Sequence, residues 1–190
     1  YESLNIVKSQ LIGNKALIGF AGAPFTIAAY MIEGEGNTTF PNCVSFFKNN
    51  ENTFLLLLKK LEYFIANHLI KQIEAGAEVI QIFESHAKVA ADENKFKLYC
   101  IDPVNNIINK IRKNYPDISI IGFPRNADNN YLEYGKTINV DCISIDQNVD
   151  IKWLIKNLKM TNNRSLCLQG NLAPENLLEG GEKMISSIHN

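Results

Sequence analysis

The 190-residue chain is 46% hydrophobic, sets 19 basic against 20 acidic residues and has a formal net charge of -1. That balance offers no global field for nucleic acid or an anionic membrane, so an anionic ligand must be held by local groups. The longest aliphatic block, Phe54 to Leu58, is stopped by Lys59 and Lys60, far short of the roughly 20 apolar residues of a membrane span, while the length suffices for one substantial core.

In chain order, five short runs of nearly continuous apolar character alternate with amphipathic stretches. The runs are Ala16 to Phe20, Val79 to Phe83, Ile118 to Phe123, Cys142 to Asp146 and Ser165 to Gln169, as expected of parallel strands covered on both faces. Between the first two, Phe54, Leu57, Leu58, Leu61, Ile65, Leu69 and Ile73 recur at helical spacing within Glu51 to Ala75, and Gly76 follows as a natural stop. His68 falls on that stripe and reads as a packed core histidine. The spacing also predicts helix over Asp92 to Tyr115, interrupted near Pro103, and short helices over Tyr131 to Thr137 and Ile151 to Leu158. A last helix opens at Pro174 and continues over Glu175 to Leu178. Strand and helix in alternation mean α/β with a parallel sheet, which a doubly wound sheet and a (β/α)8 barrel both satisfy. G-F-A-G after the first run is not the dinucleotide pattern G-x-G-x-x-G, and a Walker lysine motif is absent from the sequence.

In parallel α/β folds, functional groups gather at the carboxyl ends of the strands. Those ends are Phe20-Ala21-Gly22, Glu84-Ser85-His86, Pro124-Arg125-Asn126, Asp146-Gln147 and Gln169-Gly170-Asn171. Ala21, Gly22 and Ala23 permit either close backbone approach to a flat ligand or tight strand-to-helix packing, Pro24 stiffens the exit and Thr26 is placed to start the next helix. Tyr30 can serve a carboxylate or an N–H group, or be satisfied internally. Ser85 is a donor to an anionic oxygen or the N-cap of the following segment. His86 beside it makes a poor base for that serine, because adjacent residues at a strand end point apart. Glu84 and Asp146 can act as acid and base, or pair with Arg125 as scaffolding. Cys43, Cys100, Cys142 and Cys167 lie far apart without a C-x-x-C pair, which supports neither a zinc nor a redox motif and fits a reducing compartment. No convergent set of metal ligands can be assembled from the sequence.

Four segments then agree in order and spacing: GFAGAPFTIAAYMIEG from Gly19 to Gly34, GAEVIQIFESHA from Gly76 to Ala87, CISID ending at Asp146, and LQGNLAP from Leu168 to Pro174. Together they resemble the uroporphyrinogen decarboxylase family over essentially the whole chain. The resemblance implies a (β/α)8 TIM-type barrel, with about five central βα units present, that forms a cytoplasmic homodimer and needs neither metal nor organic cofactor. It implies an enzyme that turns the four acetate side chains of uroporphyrinogen III into methyl groups, giving coproporphyrinogen III and carbon dioxide, with no nucleic-acid or membrane partner. It places the family's substrate-binding tyrosine at Tyr30, its carboxylate-binding serine at Ser85, and pocket-lining apolar residues at Phe20 and Phe83. The family's carboxylate-receiving arginines and pyrrole-facing aspartate fall upstream of Tyr1, and a histidine and the last barrel elements beyond Asn190. No catalytic residue is therefore assigned, and residues 1 to 190 are expected to form a single, incomplete barrel domain, inactive alone and cut from a longer chain.

The same resemblance exposes departures. Lys88 stands where the family usually has glycine, Gln147 replaces a common tryptophan, Ala173 replaces the aspartate of G-N-L-D-P, and Asn126-Ala127 sits where a glycine is common. Arg125 stands for a basic residue often found there. Two other readings are an inactive remnant of the barrel and a related corrinoid-linked methyltransferase, which would need a zinc-binding His and Cys cluster that the sequence does not offer.

Overall fold

The computed structural model describes residues 1–13, 15–36, 39–159 and 166–189. Its centre is a parallel sheet of β1 (Ile18–Gly22), β2 (Val79–Glu84), β3 (Ser119–Pro124), β4 (Cys142–Ser144) and β5 (Cys167–Gln169). The strands lie side by side in sequence order, every neighbouring pair parallel. Each crossover thus advances one position in the same direction, whereas a doubly wound sheet reverses at a switch point. This winding decides between the two architectures left open by alternation: the chain forms part of a (β/α)8-type barrel wall.

Helices occupy α1 (Glu2–Gln10), α2 (Pro24–Glu33), α3 (Pro41–Asn49), α4 (Glu51–Glu74), α5 (Ala87–Asp92), α6 (Asp102–Asn114), α7 (Asn130–Thr137), α8 (Ile151–Lys159), α9 (Pro174–Glu179) and α10 (Gly181–His189). Among the described residues, no helix is long and apolar enough to cross a membrane. The predicted stripe of α4 buries Phe54, Leu58, Ile65 and Leu69. Its end is a Schellman motif: Gly76 is left-handed at φ +102°, its N–H donates to Ile73 O at 2.9 Å, and the Ala77 N–H donates to Gln72 O at 3.0 Å. His68, expected in the core, is exposed at the margin of the stripe and lies 2.7 Å from the Tyr1 hydroxyl through Nδ1.

The long helix predicted from Asp92 to Tyr115 is broken. Asp92 closes α5, residues 93–95 leave the helix, and a π-helical turn over Lys97–Ile101, with the Asp102 N–H donating to Lys97 O, runs directly into α6 at Pro103, which has no N–H to continue that ladder. Strand β1 starts two residues later than predicted and β4 stops at Ser144, leaving Asp146 beyond its end. In the last run, Ser165 lies outside the described residues. Helices α1, α3 and α10 answer no predicted element, and α5 meets the predicted Asp92 to Tyr115 helix only at Asp92.

One face of the sheet packs on the helices through Ala21, Ile80, Ile82, Ile120, Ile143 and Glu84, all buried. Gln72 of α4 completes the edge of β1, its Nε2 donating to Phe20 O at 2.8 Å and its Oε1 accepting from the Phe20 N–H at 2.9 Å. Position 19 is glycine for this reason, since a Cβ there would lie 2.7 Å from Gln72 Oε1. The opposite face, carrying Phe20, Gln81, Phe83, Phe123, Ser144 and Gln169, is the inner wall of the barrel.

Candidate functional site

Side chains two apart on a strand share a face, and this builds a row of aromatic rings along the inner wall. Phe20 and Phe83 meet edge to face at 5.9 Å and 90°, and Phe83 meets Phe123 at 6.1 Å and 71°. Phe20 is 62% exposed, presenting its ring to the open side. Phe123 was not singled out from the sequence, although the same period of two along Ile118 to Phe123 places it level with Phe83, its register partner. Beside this row runs a polar chain: Gln81 Nε2 donates to Ser144 Oγ at 3.2 Å, and Ser144 Oγ donates to Gln169 Oε1.

Above the row, at the carboxyl ends of the strands, Tyr30 projects from α2 with 45% of its surface exposed. Its ring packs edge to face on His86 at 5.0 Å and on Phe40 at 5.6 Å. Ser85, half-buried, immediately precedes His86. The N-cap of α5 is His86 and not Ser85, so the capping role open to that serine is not used. The His86 imidazole is held below its ordinary pKa, first by burial and then by the nearby Arg125 guanidinium, and its Nε2 is buried without a hydrogen-bond partner. The strand ends thus carry an imidazole, a phenol, an alcohol and the Arg125 cation, and the inner face of the sheet carries the aromatic row. Such a surface suits a flat apolar ligand with a polar or anionic periphery.

The two strand-end carboxyls do not face each other. Glu84 lies on the outer, fully buried face, where Thr26 Oγ1 donates to Oε1 and the backbone N–H groups of Phe25 and Thr26 point at the same carboxyl. Glu84 therefore caps α2, whose own N-cap residue, Ala23, makes no side-chain cap. Thr26, placed from the sequence as a helix starter, instead sits inside the first turn of α2. Burial pushes the Glu84 carboxyl up to about 8. Asp146 organises loops: Oδ2 accepts from the Asn126 N–H and the Tyr131 hydroxyl, both at 2.8 Å, and Oδ1 accepts from the Asn148 N–H at 3.0 Å. Arg125 meets Glu84 only through its backbone N–H, 3.1 Å from Glu84 O.

Several departures have local explanations. Asn126 adopts φ +57°, a left-handed conformation that asparagine tolerates where glycine is otherwise common. Lys88 pairs with Asp92 at 2.9 Å and Asp128 at 3.8 Å. Ala173 is the N-cap of α9 and supplies no side-chain cap. Nothing in the structure explains Gln147.

The family model described as uroporphyrinogen decarboxylase (URO-D) matches residues 1–190. Proteins named uroporphyrinogen decarboxylase are similar to the chain: that of Wolbachia pipientis wMel is 44% identical over 177 residues, covering 93% of this chain and 49% of the relative. That of Roseobacter denitrificans is 37% identical over 185 residues, covering 97% and 52%, and that of Jannaschia sp. is 36% identical over 186 residues, covering 98% and 53%. The chain spans about half the length of these relatives. With the match running from the first residue to the last, over a sheet wound as a barrel wall, the chain belongs to the uroporphyrinogen decarboxylase family.

Proposed function

We propose that this chain supplies the central wall of a tetrapyrrole site and works in the decarboxylation of uroporphyrinogen III to coproporphyrinogen III. The observation that carries the reading is the inner-face row Phe20, Phe83 and Phe123, on strands whose carboxyl ends lead into the segments of Tyr30, Ser85 and Arg125. The reaction protonates an electron-rich pyrrole carbon beside an acetate arm, the resulting cation draws the electrons of the C–COO bond as carbon dioxide leaves, and the exocyclic methylene so formed takes a proton to become methyl while the ring carbon gives its proton back. An acidic group stabilises that cation, and by family resemblance it is an aspartate outside these residues. The task of this chain is orientation. Its phenylalanines lie against the macrocycle, Tyr30 and Ser85 donate to peripheral carboxylates, and the apolar floor strengthens each polar contact. Arg125 faces the same periphery as a cation. The near-neutral charge offers no field for nucleic acid, and we propose a cytoplasmic homodimer as the working form.

The test titrates the chain anaerobically with coproporphyrinogen. Tyr30→Phe and Ser85→Ala are each expected to weaken binding by about tenfold, the worth of one hydrogen bond to a charged group. Unchanged affinity in both variants refutes the placement. Decarboxylation by residues 1 to 190 alone would refute the assignment of the acid to a position outside them.

A further inference from the structure

Two cysteines remote in sequence are brought together by the winding of the sheet. Cys142 of β4 and Cys167 of β5 are direct register partners on neighbouring parallel strands. Their alignment is fixed by the ladder around them: the Cys167 N–H donates to Asp141 O at 2.9 Å and the Ile145 N–H donates to Gln169 O at 2.8 Å. Both side chains fall on the inner face, two residues before Ser144 and Gln169, and the Cys142 thiol lies within electrostatic reach of the Cys167 thiol. Adjacent strands lie about 4.8 Å apart, inside the Cα separation of about 4.4 to 6.8 Å that a disulfide spans. Cys167 is exposed and Cys142 half-buried, while Cys43 and Cys100 are fully buried.

We propose that Cys142 and Cys167 form a peroxide-sensitive dithiol that closes to a disulfide between β4 and β5. The exposed Cys167 thiolate attacks a peroxide oxygen; an S–O bond forms, the O–O bond breaks and hydroxide leaves to become water. Cys142 then gives up its proton and attacks the Cys167 sulfenic sulfur; the S–S bond forms, the S–O bond breaks and a second water departs. Two thiols lose two electrons and one peroxide gains them. This division follows accessibility, since sensor thiols are exposed and sit beside a resolving thiol. Burial and the neighbouring Cys167 push the Cys142 thiol up to about 11, which keeps it protonated until the sulfenic acid presents itself.

The experiment treats the 190-residue chain with hydrogen peroxide, blocks remaining thiols by alkylation and maps peptides without reduction. The expected product is a single cross-linked pair, Cys142 to Cys167, reversed by dithiothreitol, with Cys43 and Cys100 recovered in alkylated form after unfolding. In Cys142→Ser, Cys167 stops at the sulfenic acid and its dimedone adduct rises by about tenfold over the parent chain. Cross-links to other cysteines, or oxidation of Cys167 to sulfinic acid in the parent chain with no disulfide, overturn the proposal. So does equal dimedone labelling with and without Cys142. The peptide map of the unmutated chain keeps the test valid if a variant fails to fold.

Discussion

Replacing Glu84 by glutamine tests whether a carboxyl kept neutral by burial holds the first helix of the barrel wall to the second strand. The carboxyl rises from its ordinary 4.5 to about 8 in the folded chain, which corresponds to about 5 kcal/mol of preference for the neutral form. Below pH 4.5 it is protonated folded and unfolded, and contributes no pH dependence. Between 4.5 and about 8 the unfolded chain ionises while the folded chain keeps its proton, so the folded state binds more protons and stability falls by about 1.4 kcal/mol per pH unit. Above about 8 both states are ionised and the full cost is present. Glu84→Gln retains the Oε1 acceptor for Thr26 and the α2 N–H groups, offers an NH2 where Oε2 has no partner, and cannot titrate.

The stability of Glu84→Gln relative to the parent should therefore grow by about 4 kcal/mol between pH 5 and pH 8. Urea unfolding across that range, followed by Trp153 fluorescence and far-ultraviolet circular dichroism, measures it. Subtracting the parent profile removes the contribution of His86, which both chains share. Parallel profiles for the two chains would refute a protonated Glu84, and with it the account of how α2 is anchored.

Asp146→Ala leaves the buried Tyr131 hydroxyl and the Asn126 and Asn148 N–H groups without their acceptor, and is expected to cost about 3 kcal/mol in denaturant unfolding, against about 1 kcal/mol for Tyr131→Phe. Ala173→Asp provides the missing side-chain cap of α9 and should stabilise the chain by about 0.5 to 1 kcal/mol, read as a rise of about 2 °C in Tm.

What could be read in advance depended on whether the information was local. The five strands were visible because each presents a continuous apolar run between turn residues, and α4 because its stripe and Gly76 lie within one segment. The caps were not visible. Glu84 caps α2 from the far side of α4, and Glu33 caps α3 through the Asn42 N–H at 3.0 Å and the Cys43 N–H at 3.2 Å. Both carboxyls arrive by tertiary placement, so no spacing rule points to them. Aligning Cys142 with Cys167 likewise required the register between two strands, which the crossover sets and neither strand encodes alone. At the candidate site, Tyr30, Ser85, Phe20 and Phe83 could be named through resemblance, whereas the packing of His86 on Tyr30 and the level of Phe123 emerge only from the folded arrangement.

The small residues that follow β1 acquire a definite role in that arrangement. The Ala23 N–H donates to Phe83 O at 2.8 Å, and Ala23, Phe25 and Thr26 are all buried, so α2 starts directly against the end of β2. A bulky side chain at Ala23 would lift the helix away and withdraw its first N–H groups from Glu84. Thr26 then bridges two consecutive elements: its hydroxyl donates to Glu84 and accepts from the His86 N–H at 3.4 Å. One helical turn later, on the same side, Tyr30 comes to rest on the His86 ring. Of the two readings open for this loop, close packing is the one these contacts show. The helix that carries Tyr30 is thus anchored at its first turn by a buried carboxyl on the outer face of the sheet, while the Tyr30 ring itself rests on Phe40 and His86.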